Sequence, residues 1–179
     1  MATTTINVTA INGLFAQTAS STAITNTTTE TTLIGSGVGS LSIPADGFAV
    51  GDSFHAKLIG HISCNQSATI RIRIKTGSVV LADTDVIALA AATNRNWEIN
   101  VYFTIRTIGG AGVASIVSGG IFSYVKNAGT DFEGSNFLFI NNTDFDTTVS
   151  NTLNVTAEWV AASTDNSIYS DIFMLNKTY

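Results

Sequence analysis

The chain has 179 residues, 45% of them hydrophobic and only 12% charged, with a net charge of −5. That length suits one domain, or one domain with a short arm, with enough core to do without disulfides. The acidic balance excludes a typical nucleic-acid coat or packaging protein, and the apolar content excludes a disordered chain. Cys64 is the sole cysteine, so neither an intrachain disulfide nor a cysteine zinc cluster can form. It closes a strand-like run and reads as a small core hydrophobe.

The Met1–Thr5 start lacks the basic residues and apolar stretch of a signal peptide, and no apolar run reaches the ~20 residues of a transmembrane helix. Residues 1–26 are Thr-rich and weakly patterned. Ile6, Val8, Leu14 and Phe15 fit an edge strand or an arm that docks elsewhere. Regular alternation begins at Thr27, so the main domain is set at 27–179. Thr31–Ile34 and Ser40–Ile43 read as short strands around a glycine-rich turn, the second ending at Pro44. After a loop over 45–52, Phe54, Ala56, Leu58, Gly60 and Ile62 alternate with His55, Lys57, Ile59 and His61.

Thr69–Lys75 reads Thr-Ile-Arg-Ile-Arg-Ile-Lys, with isoleucines on one face and bases on the other. The short Asn65–Ser67 connection predicts that this strand forms a hairpin with the preceding one. Lys57, His55 and His61 would then share a side with Arg71, Arg73 and Lys75. Ile87–Ala92 is the one stretch where a helical turn competes. Residues 97–107 form the cleanest strand, with Trp97, Ile99, Val101, Phe103 and Ile105 facing inward. Val113–Val125 continues as a Gly/Ser-punctuated strand or pair, Asp131–Gly134 is a polar break, and Phe137–Ile140 is a strand. Leu153, Val155, Ala157 and Trp159 line another inner face, and Ile168–Leu175 closes the fold. About ten strands with no substantial helix predict an all-β, antiparallel, jelly-roll-like sandwich.

Few residues carry chemistry. His55 and His61 lie ~20 Å apart on one strand face, too far to share a metal. Asp83 with Asp85, and Asp144 with Asp146, have the spacing of turn carboxylates and lack the EF-hand ladder. Nothing brings Glu98 and Glu158 together as an acid–base pair, and no nucleophile elbow, phosphate loop or zinc signature occurs. The Gly-rich run Ile108–Phe122 fits a packed strand better than a membrane-inserting one. No catalytic, cofactor-binding or metal residue is assigned. The candidate ligand or subunit contacts are the basic row Lys57, Arg71, Arg73 and Lys75, which suits an acidic ligand, and the loop aromatics Phe48, Phe132 and Phe145, which suit sugar rings. Ile59 and Tyr102 stand at otherwise polar outward positions, as subunit contacts do.

Three stretches carry a family resemblance. They are Thr29–Leu33 and Gly39–Ala45 with Val50-Gly51-Asp52; Asn96-Trp97-Glu98 leading to Thr104–Gly109; and Leu153–Trp159 with Asn166-Ser167-Ile168. This layout, over 27–179, resembles small jelly-roll structural proteins of tailed bacteriophages and large DNA viruses, which form fibre tips, spikes or capsid decorations. The resemblance implies a non-enzymatic virion component assembled in the host cytoplasm, and a homotrimer. It further implies contacts to other virion proteins, with the N-terminal arm as anchor, and offers a receptor- or glycan-binding fibre tip as the alternative. Neither nucleic acid nor membrane is an expected partner.

Overall fold

A computed structural model of the chain describes residues 13–128, 131–141 and 143–179. They form β1 (Gly13–Gln17), β2 (Ile24–Thr25), β3 (Thr31–Thr32), β4 (Gly37–Gly39), β5 (Ser42–Ile43), β6 (Ser53–Cys64) and β7 (Ala68–Thr76). These are followed by β8 (Val79–Asp83), β9 (Ile87–Leu89), β10 (Ala92–Thr107), β11 (Ser115–Val125), β12 (Phe132–Asn141), β13 (Asn151–Trp159) and β14 (Ser167–Lys177). The fold is all-β and antiparallel, two sheets packed as a sandwich. Fourteen strands replace the expected ten or so because β2, β3, β4, β5 and β9 are bridges of two or three residues, too short to leave a period in the sequence. Ile87–Leu89, where a helical turn competes by composition, pairs with β7 as a strand.

The larger sheet runs β12-β11-β10-β6-β14-β1-β4, with β2 also on β14; the smaller runs β3-β13-β7-β8, with β5 on β13 and β9 on β7. Two of the chain's passages between the sheets run from β6 to β7 and from β13 to β14. Since β6 pairs with β14 and β7 with β13, the two crossings lie side by side, which is jelly-roll winding. The expected β6–β7 hairpin is therefore not formed. Both edges of β6 are taken, by β10 and β14, and the link over 65–67 turns a corner between sheets.

Strict alternation builds the core. β6 buries every second residue, from Phe54 to Cys64, and Ile70, Ile72 and Ile74 face it from β7 without exposure to solvent. Trp97 and Trp159 are the largest buried side chains. Their indole N–H groups reach carbonyls, Trp97 those of His61 and Tyr169 and Trp159 that of Ile24, so burial leaves no donor unpaired.

The part of the 1–26 segment that is described is woven into the sandwich. β1 lies between β14 and β4, and Phe15 and Ile24 join the core. Ile6 and Val8, read as an arm or edge strand, lie outside the described residues.

Candidate functional site

The two outer faces differ in kind. On the smaller sheet, alternation turns Arg71, Arg73 and Lys75 of β7 outward, and the register sets Glu158 beside Arg71 and Thr156 beside Arg73. Arg71 Nε donates to both oxygens of Asp83 at 2.9 and 3.0 Å, and its terminal nitrogen binds the same carboxylate. Arg73 donates to Glu30 at 2.9 Å and to Glu158 at 2.7 Å. Lys75 donates to Glu30 at 3.1 Å, and the Thr156 hydroxyl does so at 2.6 Å. Three cations thus meet the carboxylates of Glu30, Asp83 and Glu158, with Asp85 3.9 Å from Arg71.

The basic row expected to hold an acidic ligand is thus already neutralised by the chain itself. Burial raises the Asp83 pKa, but the Arg71 hydrogen bond, the Asp85 N–H and the nearby guanidinium charges outweigh it and hold the carboxyl below its ordinary range.

Lys57 is not part of this row. It lies on the outer face of the larger sheet, 3.6 Å from Glu98, because β6 and β7 belong to different sheets. The same separation puts Glu98 and Glu158 on opposite outer faces, so these two carboxylates cannot act on one substrate.

The outer face of the larger sheet mixes exposed apolar side chains with neutral polar ones, and its charges include the Lys57–Glu98 and His61–Asp171 pairs. One row across it reads Leu138, Gly119, Tyr102, His55, Asn176, and the next Asn136, Ile121, Asn100, Lys57, Met174, Ala16, Val38. Ile59 and Ile172 are neighbours in a third. His55 stacks on Tyr102 with ring centroids 4.5 Å apart and planes 7° apart. His61 Nδ1 lies 2.7 Å from Asp171, whose other oxygen accepts from Ser20 at 2.8 Å. The two histidines keep separate partners, as their spacing requires. Ile59 and Tyr102 were legible as outward apolar residues. Ile121, Leu138, Ile172 and Met174 were not singled out, although the consecutive run Phe137-Leu138-Phe139-Ile140 in an otherwise alternating chain signals a strand apolar on both faces.

The three loop aromatics part company. Phe145 is only 1% exposed and meets Phe48 edge-on at 5.8 Å, while Phe48 also packs on Phe54 at 6.0 Å. Asn141 causes this burial. Its side-chain oxygen accepts the N–H groups of Thr143, Asp144 and Phe145, and its amide donates to Val80 O at 3.1 Å. The loop is drawn in and Phe145 becomes core. Phe145 is thus withdrawn from the surface and Phe48 is half-buried, whereas Phe132 stays 70% exposed.

Cys64 is buried with its thiol toward Ala90 O, and burial pushes its pKa up, away from nucleophilic use. Asp146 bonds the N–H and hydroxyl of Thr148, as a turn carboxylate does. Among the described residues, no group of three or more His, Cys, Asp or Glu is placed to hold a metal, and no helix is long and apolar enough to cross a membrane.

No family model matches the chain, and neither does any curated protein sequence. Among solved structures, the CBM2 module of the evolved Dit protein of Lactobacillus casei BL23 phage J-1 aligns over 77% of this chain and 68% of that one. The identity is 7% and the TM-score 0.26. That score is too low for the likeness to bear on function.

Proposed function

We propose that this chain is a non-enzymatic structural component of a virion, a minor capsid, decoration or fibre protein that works by assembling with copies of itself. The observation that carries the reading is the outer face of the larger sheet, where Tyr102, Ile121 and Leu138 on one side and Ile172 and Met174 with half-buried Ile59 on the other are apolar, with the Lys57–Glu98 pair between them. Subunit contacts are built from clusters of exposed apolar and aromatic side chains of this kind. The opposite face, with its cations and carboxylates paired, is a solvated exterior. Homotrimerisation through the larger sheet follows the family resemblance in the sequence, as does placement on the particle.

The deciding experiment is an image reconstruction of the intact particle, with the chain fitted into density. Density for it with the larger sheet against sister subunits supports the reading; purified particles that lack the protein sink it.

Phe132 favours a second reading, a receptor- or carbohydrate-binding module at a fibre tip, because an exposed aromatic ring is a stacking surface for a sugar. A glycan array probed with the wild type and Phe132→Ala separates the two. Glycan binding lost in the variant supports the module, and no binding by either protein rejects it.

A further inference from the structure

Among the described residues, β12 is the one long strand that ends a sheet. It runs for ten residues, whereas β8 has five, β4 three, and β3 and β5 two each. A free strand edge offers unpaired N–H and C=O groups, and proteins guard such edges with lysine, proline, bulges or brevity. β12 has none of these. Its sequence, Phe-Glu-Gly-Ser-Asn-Phe-Leu-Phe-Ile-Asn, contains no base and no proline, and its register with β11 is unbroken. Its one charge, Glu133, is engaged by Lys126 at 2.7 Å and by the Tyr124 hydroxyl at 2.9 Å. Phe132, Leu138 and Ile140 stand outward, each more than half exposed. On the other side, half-buried Phe137 and Phe139 line a groove of about 610 Å³ with Arg71, Thr84 and Asp85 of the smaller sheet.

We propose that β12 pairs antiparallel with β12 of a second copy, joining two eight-stranded sheets across a twofold axis. A twofold axis makes the contact isologous, so the strand must complement itself. Centring the axis on Asn136 does this. Asn136 then faces its own counterpart, Leu138 faces Gly134, and Ile140 faces Phe132. A large side chain meets a glycine, and a β-branched one meets an aromatic ring. The next same-face register, centred on Phe137, sets Leu138 against Asn136 and leaves Phe132 beyond the paired strands.

Charge agrees with this arrangement. The two Glu133 side chains lie six strand positions apart, ~20 Å along the joint, and each is already paired within its own chain. Phe137 and Phe139 of the second copy approach the groove beneath β12. The joint engages about ten residues a side plus the groove wall, below the roughly 20–30 of a standard interface. Association is therefore reversible and concentration-driven, as suits subunits crowded on a larger assembly. Neither the virion nor the trimer is needed for this inference.

Sedimentation equilibrium from low to high micromolar protein tests it on the wild type, Leu138→Lys and Ile140→Lys. Both substitutions fall at exposed positions, and thermal unfolding confirms that the fold survives. The wild-type average mass is expected to rise to twice that of the variants, with amide exchange along β12 slowing as concentration increases. A wild-type mass equal to that of both variants at every concentration overturns the proposal. Asn136→Cys reads the register, since Cys64 is buried: oxidation is expected to yield a covalent dimer, while Val160→Cys, exposed on the other sheet, does not crosslink. Crosslinking no faster at 136 than at 160 overturns it as well. So does protection of β12 that appears only with other particle proteins, which would assign the edge to a different strand donor. A loss of mass in Leu138→Lys but none in Ile59→Lys would separate this joint from the face contact proposed above.

Discussion

Asp83 shows how a carboxylate from a neighbouring strand changes the character of a basic surface. With Arg71 on one side and Arg73 3.7 Å away, it joins Glu30 and Glu158 in converting a basic stripe into a neutral ladder. Its pKa lies below the ordinary 3.8, and that of Glu30 lies below 4.5, because burial, which raises each, is outweighed by hydrogen bonds and nearby cations. A carboxylate depressed in the folded state contributes stability that is whole above the unfolded pKa and is lost as pH falls through the folded one. Thermal unfolding should therefore show this share of stability intact at neutral pH and disappearing below about pH 4.5. Asp83→Asn should cost ~1–3 kcal/mol at neutral pH by urea denaturation, since two guanidiniums lose a partner, and its stability should fall less on acidification. A variant with the wild-type midpoint and acid profile would refute the role of the ladder.

Tyr124 carries the opposite sign. Burial and the neighbouring Glu133 push its phenol up to about 12 against the Ala90 N–H, which it accepts at 2.6 Å. A neutral phenol preferred in the folded state stabilises fully below the unfolded value of 10, and that contribution fades as pH rises through 12. The difference absorbance between wild type and Tyr124→Phe should show the phenolate of this residue near pH 12 rather than 10. The variant should also lose ~1–2 kcal/mol, since the Ala90 amide and Glu133 lose the hydroxyl. A phenolate step near 10 would contradict this environment.

At the scale of elements, the junction of β6, β10 and β14 depends on Gly60. Its register neighbours are Trp97 and Ser170, and the register on β14 shifts between Ser170 and Ile172. That bulge brings the carbonyl of Tyr169 into the space a Cβ would fill at Gly60, and the same carbonyl accepts the Trp97 indole at 3.1 Å. Gly60→Ala should cost ~1–3 kcal/mol by forcing backbone apart in a packed core. Chemical denaturation measures it, and amide exchange should locate the loosening at 167–172. An alanine variant of wild-type stability would show that the bulge can move at no cost. Strand interiors such as Thr69–Lys75 and Trp97–Ile105 were legible in the sequence because a half-buried strand must alternate. The corner at 65–67 was not, since a three-residue polar link serves equally as a hairpin or a sheet-to-sheet step, and the choice lies with strands distant in sequence.

For the whole molecule, the contrast between faces bears on the assembly proposed above. A face of paired charges gains little from being covered, because desolvation offsets what its ion pairs contribute. Exposed apolar side chains gain with every square ångström removed from water. Ile59→Lys should therefore lower the sedimentation mass of the purified protein, whereas Lys75→Ala, on the charged face, should leave it unchanged. A wild type that is already monomeric at high micromolar concentration, or an Ile59→Lys variant of unchanged mass, would count against assembly through the larger sheet.

By itself the sequence determined the class of fold, the inward sets of the long strands, and the outward placement of Lys57, Arg71, Arg73, Lys75, Ile59 and Tyr102. All of these follow from a period of two, a local property of the backbone. Only the tertiary structure decided which outward residues are neighbours. Glu30 and Glu158 reach Arg73 from 43 and 85 positions away, and Phe145 turns inward because Asn141 holds its loop. Whether a base is free or neutralised, and whether an aromatic ring is platform or core, is set by contacts between segments far apart in the chain, and no periodicity encodes those.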